Sequence, residues 1–590
     1  MTHSVLLTSL IASLPVAQLR EPAPSSWARA TIGMRNVSLA DSVRTRRAAR
    51  RAQEKFESLR RAHLPFGPGG PRGQCDLQVG RLCYWHEDGE SPPEVPEPER
   101  ITRGRERLVA LLADAARTIR GDEWITGQHV RYLIEARRNV DAIDAATECA
   151  STPWWCAALT GLALHRSGEY ARADSAFAVA LTAMPAAQRC KWTDVSLFLE
   201  GDVAKRYRGL SCAARAAVED RFWWVSQPLY ALGGNDARTE FFARRTMARL
   251  EEHAPSAYNL SWGRDVEELL MRYGWPTWWT RDRPSGVSAT AGPPSIVGHE
   301  PTPSFYFHPT HRLLDANPAE ARLEDWQPRM ARPPARYAPA YAGGFSDLET
   351  QVAVFRRMDS ALVIAAYEHP DDSLFDDNAV DAALAVGRDE ATPMVVVRRT
   401  RDRRAAEPLV ARVAWGPMLV SVELTAPRRR GVARARFGAN PDARLRTGRL
   451  SLSDVLLYRS TDSAAASLED VASRALGAPR GPAGGRVGVY WEIYGVRPEG
   501  EALSVTLNVE RVRVGWTTRA AERLGLAAKV TPLRVRWHEV PKRDAGFASR
   551  AMTVDLSELP AGRYRMHLTV AAEDGSAAAS ERFIELTAAR

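Results

Sequence analysis

WWCAALTGLALHRSGEYARADSAFAVALTAMP, from Trp154 to Pro185, is the stretch that decides the fold of the first half of the chain. Apolar and small side chains recur in it at the spacing of α-helices. Gly161 and Ala173 are small enough to let two helices approach closely, and Phe177 is suited to fill the space between them. The proline at the end stops the second helix. The stretch therefore predicts an antiparallel pair of α-helices.

These residues resemble the tetratricopeptide repeat, a helix pair that stacks into curved scaffolds. The consensus order of Gly, Gly, aromatic, Ala, aromatic, Ala and Pro is matched by Gly161, Gly168, Tyr170, Ala173, Phe177, Ala180 and Pro185. A degenerate unit precedes it at about 128–152, and two units are too few for a stable stack. We therefore expect a tetratricopeptide-like helical domain over 99–282, whose core is completed by later helices. The resemblance implies a scaffold with a protein partner.

Length and charge narrow the functional classes. A chain of 590 residues is too long for one hydrophobic core, so we expect three or four domains. The net charge is +9, but only five of the 80 basic residues are lysine, and 71 acidic residues are interleaved with them. This pattern is typical of codon bias in a GC-rich genome rather than of a basic nucleic-acid-binding surface. We expect no nucleic-acid partner.

The N-terminus predicts export. Val5 to Val16 form a short apolar run, and Ala17 is suited to a cleavage site, so residues 1–20 are a candidate signal peptide. The run is too short for a membrane span, and no later stretch is long and apolar enough for one. We therefore expect a periplasmic or secreted protein with no membrane span in the mature chain. A cytoplasmic location stays the alternative, because no Lys or Arg precedes the apolar run.

Six cysteines lie within the first 212 residues, and they permit fifteen pairings. Short intervening loops favour Cys75 with Cys83 and Cys149 with Cys156, which leaves Cys190 with Cys212. Six reduced and partly buried thiols are the alternative. Disulfides persist in oxidising compartments, so the paired interpretation supports export.

The remaining sequence predicts further modules. An Ala-, Arg- and Glu-rich helix, expected to be solvated, and a cysteine loop occupy 36–98, and a proline-rich linker occupies 283–345. Strands follow: first a hairpin of Thr350–Arg357 and Ser360–Glu368, and then Pro393–Arg399, Val410–Trp415, Met418–Thr425, Val432–Phe437 and Leu450–Tyr458. The spacing predicts two antiparallel, immunoglobulin-like β-sandwiches at 346–460 and 487–590, joined by a linker at 461–486. The predicted fold class is a multidomain α plus β chain.

Gly274-Trp275-Pro276-Thr277 resembles the signature of the bacterial Gly-Trp-x-Thr-Asp (GWxTD) domain family. Proteins of that family are exported, and they often combine helical repeats with β-sandwich modules. The order of modules is similar here over most of the chain. Trp278 stands where the signature has its Asp, so no role of that Asp is carried over. The resemblance implies a fold plan and an envelope location, but no activity.

Tryptophans are the candidate contact residues. An exposed indole can stack on a sugar ring or a peptide, whereas an indole at a helix exit also seals a core. The candidates for contact with a ligand or partner are Trp154, Trp155, Trp223, Trp224, Trp275 and Trp278. The sequence contains no phosphate-binding loop, dinucleotide fingerprint, zinc-protease motif or nucleophile elbow. We therefore expect no catalytic residue, no cofactor and no metal.

Weaker clusters keep other chemistries open. Cys75, Cys83 and His86 fit a disulfide better than zinc, because zinc sites place paired cysteines closer together. The other clusters are His299, His308 and His311, the acidic pairs Asp371-Asp372 and Asp376-Asp377, and the arginines Arg398, Arg399, Arg401, Arg403, Arg404 and Arg428 to Arg430. The leading hypothesis is a non-catalytic envelope scaffold or protein-binding protein. The alternative is a hydrolase or carbohydrate-binding protein acting on envelope polysaccharide.

Overall fold

The computed structural model describes residues 38–67, 75–86, 93–282, 295–376, 379–402, 408–442, 448–461, 467–497, 500–512, 531–541 and 546–588. The candidate signal peptide at 1–20 lies outside these ranges, as do 283–294 and 462–466 of the two predicted linkers. Within the described ranges, an N-terminal helical region is followed by a β-rich C-terminal part made of several sheets. This order is the predicted one.

The helices are α1 (Leu39–His63), α2 (Glu99–Thr118), α3 (Glu123–Glu135), α4 (Asn139–Thr147), α5 (Pro153–Arg166), α6 (Tyr170–Ala183), α7 (Ala186–Thr193), α8 (Gly201–Gly209), α9 (Cys212–Ser226), α10 (Asp236–Glu252), α11 (Arg264–Tyr273) and, among the strands, α12 (Leu468–Ser473). The strands are β1 (Leu77–Val79), β2 (Leu82–Tyr84), β3 (Trp278–Arg281), β4 (Ile296–His299), β5 (Gly344–Asp347), β6 (Thr350–Arg357), β7 (Ser360–Tyr367), β8 (Ala379–Gly387), β9 (Val395–Asp402), β10 (Leu409–Ala414), β11 (Met418–Ala426), β12 (Gly431–Ala439), β13 (Ser451–Leu452), β14 (Leu456–Tyr458), β15 (Arg480–Pro482), β16 (Arg486–Tyr494), β17 (Leu503–Arg511), β18 (Leu533–Glu539), β19 (Phe547–Asp555), β20 (Gly562–Ala572) and β21 (Ala577–Thr587).

The predicted helix pair is present as α5 and α6. Pro153 occupies the first turn of α5, where its missing amide donor costs nothing, and Gly168 turns the chain at φ +79°. Phe177 is only 1% exposed, and its ring lies against Gly161. The close approach of the two helices at Gly161 is therefore confirmed.

Helix α10 packs across α3, α5 and α6. The ring of Phe242 on α10 lies 5.5 Å from that of Phe177, centroid to centroid. The Gln128 side-chain amide on α3 donates to the Leu250 carbonyl at 2.8 Å, and Trp124 Nε1 donates to the His253 carbonyl at 3.0 Å. A later helix therefore completes the core of this short stack, as expected.

A buried ionic cluster fixes one face of α1 to this core. Arg60 is fully buried and forms ion pairs with Glu57 at 3.4 Å and with Glu135 of α3. Arg131 pairs with Glu135 at 3.0 Å and with Glu251 of α10 at 3.4 Å. Breaking a buried pair leaves an uncompensated charge, which is strongly destabilising. The helix is thus solvated on one face only, because part of its charge is buried against opposite charge.

The β-rich part is layered. Sheet 1 has the strand order β5-β12-β11-β8-β9, sheet 2 has β10-β7-β6, sheet 3 is centred on β16 with β13, β14 and β19, and sheet 4 has β15-β21-β20-β17-β18. Sheets 1 and 2 share one hydrophobic core, and sheets 3 and 4 share another. A further cluster that includes Phe355 and Tyr490 joins sheet 2 to sheet 3. The two β units therefore pack directly on each other.

The predicted hairpin is confirmed, whereas other strands differ from expectation. Antiparallel pairing joins β6 and β7 with Arg357 opposite Ser360. Leu450 to Tyr458, predicted as one strand of the first sandwich, is split into β13 and β14, and both pair with β16 of sheet 3. Strand β8 was not predicted, because its alanine-rich sequence has weak β propensity.

The helical region is joined to sheet 1 by buried charged side chains. Glu423 of β11 accepts hydrogen bonds from the amides of Tyr230 and Ala231, at 3.0 and 2.9 Å. Arg436 of β12 donates to Glu423 at 3.3 Å and to the Gln227 carbonyl at 2.9 Å. Sheet 1 is consequently covered on both faces, which explains why eight of the nine residues of β11 are buried, including the polar Ser421 and Glu423.

The proline-rich segment at 295–343 has little regular structure but is packed rather than loose. Phe305, Phe307 and Tyr337 belong to one apolar cluster with Val432 of sheet 1. Trp326 donates from Nε1 to the Val225 carbonyl of α9 at 3.0 Å. The segment thus fills the seam between the helical region and sheet 1. None of the helices in the described ranges has the length and hydropathy that a membrane crossing needs.

Candidate functional site

The Gly274-Trp275-Pro276-Thr277 motif lies at the exit of α11. Gly274 ends the helix at φ +95°, a conformation that favours glycine, and its amide donates to the Leu270 carbonyl at 2.9 Å. Pro276 prevents continuation of the helix, and β3 begins two residues later. Trp278 then stacks on His299 of β4, with the ring centroids 3.6 Å apart and the planes within 5°. The motif therefore couples α11 to the β3–β4 hairpin.

A cavity of about 250 Å³ opens at this motif, and we call it the motif pocket. Residues of the β1–β2 hairpin, of α11 and of the paired strands β3 and β4 line it, together with Glu251 of α10 and Arg336. Tyr84 of β2 stacks on Tyr273 of α11, with centroids 3.8 Å apart. Arg81 donates to both carboxylate oxygens of Asp265, at 2.7 and 2.8 Å. These contacts fix the small hairpin as one wall of the pocket.

The charge state of Asp265 follows from this geometry. The hydrogen bonds from the Arg81 side chain lower the pKa of the Asp265 carboxyl well below its usual range. Asp265 is therefore ionised at any physiological pH, and its role is to position Arg81 rather than to transfer a proton.

A second cavity, of about 180 Å³, shares Tyr273, Gly274 and Trp275 with the motif pocket. Arg166, Arg244 and Arg430 line it, so we call it the arginine cavity. His165 and Glu240 also line it, with His165 Nε2 2.7 Å from Glu240 Oε2. No sequence motif joins these residues, since they come from α5, α10 and the turn before β12. Sequence reasoning missed them for that reason.

Neighbouring side chains hold the histidine–acid pair of this cavity in place. Arg244 donates from Nε to Glu240 at 2.6 Å, and Thr239 Oγ1 lies 2.9 Å from His165 Nδ1. Burial opposes ionisation of Glu240, but Arg244 and His165 outweigh it and hold the pKa of Glu240 well below its usual range. A carboxylate so strongly paired is a weak general base. The arrangement favours positioning over acid–base chemistry.

The candidate tryptophans occupy mostly interior positions. Trp154, Trp155, Trp223, Trp224 and Trp275 are each at most 8% exposed. Arg249 lies over the rings of Trp154 and Trp155, at 4.8 and 5.0 Å from their centroids, and Arg166 lies 5.2 Å from that of Trp275. Trp278 is partly exposed. The burial of Trp154, Trp155, Trp223 and Trp224 places these four in the core, which argues against their predicted contact with a partner. Trp275 is also buried, but it lines both cavities.

The helical region carries an open groove of about 750 Å³ between α2 and the α3–α4 pair. Small side chains lie in it, including Ala110, Ala113 and Ala145, and its rim is charged. Asp144 and Glu148 are exposed on the α4 side, and Arg117 and Arg120 lie at the end of α2. We call this feature the helical groove. Small apolar and charged side chains together line the groove, and Glu106 of α2 pairs with Arg138 on the α4 side at 3.0 Å.

His129 lies in this groove and is uncharged at neutral pH. Its burial, together with the positive charges of Arg138 and Arg117, lowers the pKa of His129 to about 4. His129 therefore adds no positive charge to the groove at physiological pH.

The structure contains the three disulfides in the predicted pairing. The Cα atoms of Cys75 and Cys83 are 5.5 Å apart, as are those of Cys149 and Cys156, and those of Cys190 and Cys212 are 5.7 Å apart. The first pair closes the β1–β2 hairpin that walls the motif pocket. The second pair spans the turn between α4 and α5, and the third joins α7 to α9.

The histidine cluster is brought together only in part, because His308 and His311 line one cavity whereas His299 lies on β4. His308 is packed among aromatic rings, including Phe198 and Phe222, with its Nδ1 3.1 Å from Ser226 Oγ. His299 stacks on Trp278, and His311 lies 3.2 Å from the Phe198 carbonyl. In the part of the chain that the structure describes, no group of three or more His, Cys, Asp or Glu is placed to hold a metal.

The remaining charged clusters are placed only in part. Asp372 accepts a hydrogen bond from the Leu374 amide at 3.0 Å and one from Ser346 Oγ at 2.8 Å, so it shapes its own loop. Asp377, Arg403 and Arg404 lie outside the described residues. Arg398 and Arg399 lie on β9, whereas Arg428 to Arg430 lie in the turn between β11 and β12.

Comparisons with known proteins add no family. No family model matches the chain, and no curated protein matches it. Similar solved structures include a transglutaminase of red sea bream (9% identity, TM-score 0.13), which matches over 42% of this chain and 32% of that one. They also include a tetra-tandem repeat from the extending region of a large adhesion protein (14%, 0.13), over 41% and 49% of the two chains. A structure concerned with host cell surface retention of a 1.5-MDa bacterial ice-binding adhesin (10%, 0.12) matches over 42% and 66%. At these TM-scores none of the three likenesses carries an argument about function.

Proposed function

We propose that this protein is a non-catalytic scaffold of the cell envelope, which binds another protein through its helical region. The observation that carries the proposal is the helical groove of about 750 Å³ between α2 and the α3–α4 pair. Grooves between helices accept an amphipathic segment of a partner along their apolar floor. The proposal includes the tetratricopeptide-like character of α3 to α6 and the immunoglobulin-like character of the two β units.

The chemistry of the groove selects one kind of occupant. Its floor is built from small residues such as Ala113 and Ala145, which let a partner backbone or a helix approach closely. Asp144 and Glu148 are exposed along α4, one helical turn apart. Basic side chains on the acidic side and acidic ones toward Arg120 would complement the rim. We infer that the occupant is a helical protein segment with an apolar stripe and a row of basic residues.

In this protein another helix covers the face of the α3, α5 and α6 helices on which a partner could otherwise bind. Helix α10 already covers α3, α5 and α6, with Phe242 against Phe177. We therefore propose the α2 side as the side on which a partner binds. This gives the groove, rather than the buried tryptophans, the docking role.

The disulfides support the proposed location. Three are formed, and disulfides persist in oxidising compartments such as the periplasm and the extracellular space. The GWxTD resemblance of 274–277 supports the same location. Export in turn restricts the partner to proteins of the envelope.

The test places a photo-crosslinking residue at position 113 in the groove and, as a matched control, at position 178 on the exposed side of α6. We expect one dominant protein adduct at 113 in native cells and none of that protein at 178. The purified partner should bind Ala113→Glu at least tenfold more weakly than wild type, and Ala178→Glu unchanged. Equal adducts at both positions, or unchanged binding by Ala113→Glu, would refute the groove as the docking site.

One observation favours the second candidate, a hydrolase of envelope polymers. His165 and Glu240 meet at 2.7 Å in a cavity that Trp275 also lines. The side chains are nearly inaccessible and Glu240 is committed to Arg244, so the scaffold remains the better-supported function. Hydrolysis of purified envelope polysaccharide that is lost in His165→Gln would reverse this ranking.

A further inference from the structure

The arginine cavity carries more positive than negative charge. Arg166, Arg244 and Arg430 line it, and Glu240 is the one acidic side chain among the described residues that line it. The cavity lies at the junction of α5, α10 and the turn before β12, where the helical region meets sheet 1. Excess positive charge in a confined cavity favours an anionic ligand.

The three arginines play different parts. Each nitrogen of Arg244 already donates one hydrogen bond, to Glu240 at 2.6 Å, to the Met271 carbonyl at 2.9 Å and to the Arg336 carbonyl at 2.6 Å. These bonds fix its position, and its main contribution to the cavity is positive charge. Arg166, in contrast, has a buried Nε with no hydrogen-bond partner. A buried donor left unpaired costs free energy, which an oxyanion of a ligand would recover.

Arg430 supplies a second donor group at the mouth. It is exposed and adopts φ +57°, a left-handed conformation that normally favours glycine or asparagine. Among the described residues its side chain has one hydrogen bond, which Nη2 donates to the Ala342 carbonyl at 3.3 Å. The side chain therefore reaches toward the cavity with donors to spare, since a guanidinium has five.

The walls limit the shape of the ligand. Tyr170, Tyr273 and Trp275 contribute aromatic surface, and prolines at 301, 303 and 339 contribute flat apolar surface. About 180 Å³ accommodates one small ring but not a chain of them. Aromatic and proline surfaces suit the apolar faces of a sugar ring, and paired arginines suit a planar carboxylate.

We propose that the arginine cavity binds a single carboxylated sugar, a uronic acid, whose carboxylate is held between Arg166 and Arg430. This site is separate from the helical groove, so its failure leaves the scaffold proposal untouched. A binding site of this kind would let the protein attach to a uronate at the end of an acidic surface polysaccharide.

The experiment is calorimetric titration of the full-length protein with glucuronate, with glucose as the uncharged counterpart and with inorganic phosphate. We expect glucuronate to bind, glucose not to bind, and phosphate to bind at least tenfold more weakly than glucuronate. Arg166→Met should weaken glucuronate binding at least tenfold. Arg206→Met, which removes an exposed arginine paired with Asp315, is the charge-matched control and should bind as wild type does.

Three results would overturn the proposal. They are no binding of glucuronate, equal affinity for phosphate and glucuronate (which would mark a simple anion site), and the same loss in Arg206→Met as in Arg166→Met. Should Arg166→Met fail to fold, the exposed Arg430→Met decides the question. It is expected to weaken glucuronate binding at least threefold, and wild-type affinity in it would refute the assignment.

Discussion

The ring of Phe177 occupies the space that a side chain at Gly161 would need. An added Cβ at position 161 would stand 2.8 Å from two ring carbons of Phe177. Gly161→Ala would otherwise stabilise α5 by roughly 1 kcal/mol through helix propensity. The clash reverses the sign, and overpacking at a buried ring typically costs about 1–3 kcal/mol. We expect a lower thermal unfolding midpoint for Gly161→Ala.

The control for this variant is Gly209→Ala at the end of α8, where an added Cβ meets no atom within 4 Å. It should leave the midpoint unchanged or raise it slightly. If both variants raise the midpoint, the close approach of α5 and α6 is not what Gly161 provides.

The helix pair could be predicted because its determinants are local. Gly161, Ala173 and Phe177 lie within one short stretch, and helix periodicity carries the rest. The covering of this pair by α10 could not be predicted, because the later helices show no repeat that places them. The same holds for the split of β13 from β14, which depends on pairing with β16 across the whole C-terminal part.

The candidate sites divide along the same line. The three disulfides could be predicted because each pair is close in the chain, with separations of 8, 7 and 22 residues. The arginine cavity could not be predicted, since His165 and Glu240 are brought together only by the packing of α10 on α5. Tryptophan content, by contrast, did not indicate which indoles are accessible to a ligand or partner. Burial of an indole depends on packing that composition does not reveal.

We expect the titration of Asp236 to change the free energy of unfolding near neutral pH. Burial raises the pKa of Asp236 to about 7, although Tyr341 donates to its carboxylate at 2.8 Å. In the unfolded chain this carboxyl titrates near 4, so the folded state binds the proton more tightly. Tighter proton binding by Asp236 in the folded state adds to the free energy of unfolding. This contribution is fully present below about pH 4 and is lost as the pH rises through about 7.

The variant Asp236→Asn keeps the shape and removes the titration. We expect it to be more stable than wild type at pH 8 by roughly 2–4 kcal/mol, and the difference to vanish near pH 4. Denaturant unfolding at the two pH values measures this. Asp114→Asn on the exposed face of α2 should show no such crossover, and a pH-independent effect of Asp236→Asn would contradict the assignment.

We expect the titration of His308 to have the opposite effect, because it lowers the free energy of unfolding as the pH falls. Burial, reinforced by the positive charge of Arg244, lowers the pKa of His308 to about 3. The unfolded histidine binds a proton near pH 6.5, so stability is lost as the pH falls from about 6.5 toward 3. His308→Phe removes this titration within a cage of aromatic rings.

We expect the decline in unfolding free energy between pH 6.5 and pH 4 to be shallower in His308→Phe than in wild type. A residual slope should remain, because His129 also has a lowered pKa, of about 4. His567→Asn, on the exposed face of sheet 4, should retain the wild-type slope. An unchanged slope in His308→Phe would show that its imidazole is not shielded from protons.

We expect Glu423 to stabilise the junction between the helical region and sheet 1. Its carboxylate accepts from two backbone amides and pairs with the buried Arg436 at 3.3 Å. Glu423→Ala leaves Arg436 buried without its counter-charge, which costs about 3–5 kcal/mol. Asp315→Ala breaks only the exposed pair with Arg206 and should cost less than about 1 kcal/mol. Similar unfolding midpoints for the two variants would contradict a structural role for Glu423.

From the three disulfides we predict the number of free thiols and the order in which removal of a disulfide lowers stability. Protein purified from native cells should show no free thiol when unfolded without reductant, and six after reduction. Removing Cys190–Cys212 as a double alanine variant should cost about 3 kcal/mol and removing Cys149–Cys156 about 2 kcal/mol, because the longer closed loop restricts the unfolded chain more. Six free thiols in the native protein would remove the structural support for an oxidising compartment, and with it the restriction of partners to the envelope. Intact disulfides with the reverse ranking would leave the location standing, and would place the stabilisation in local packing around the Cys149–Cys156 turn.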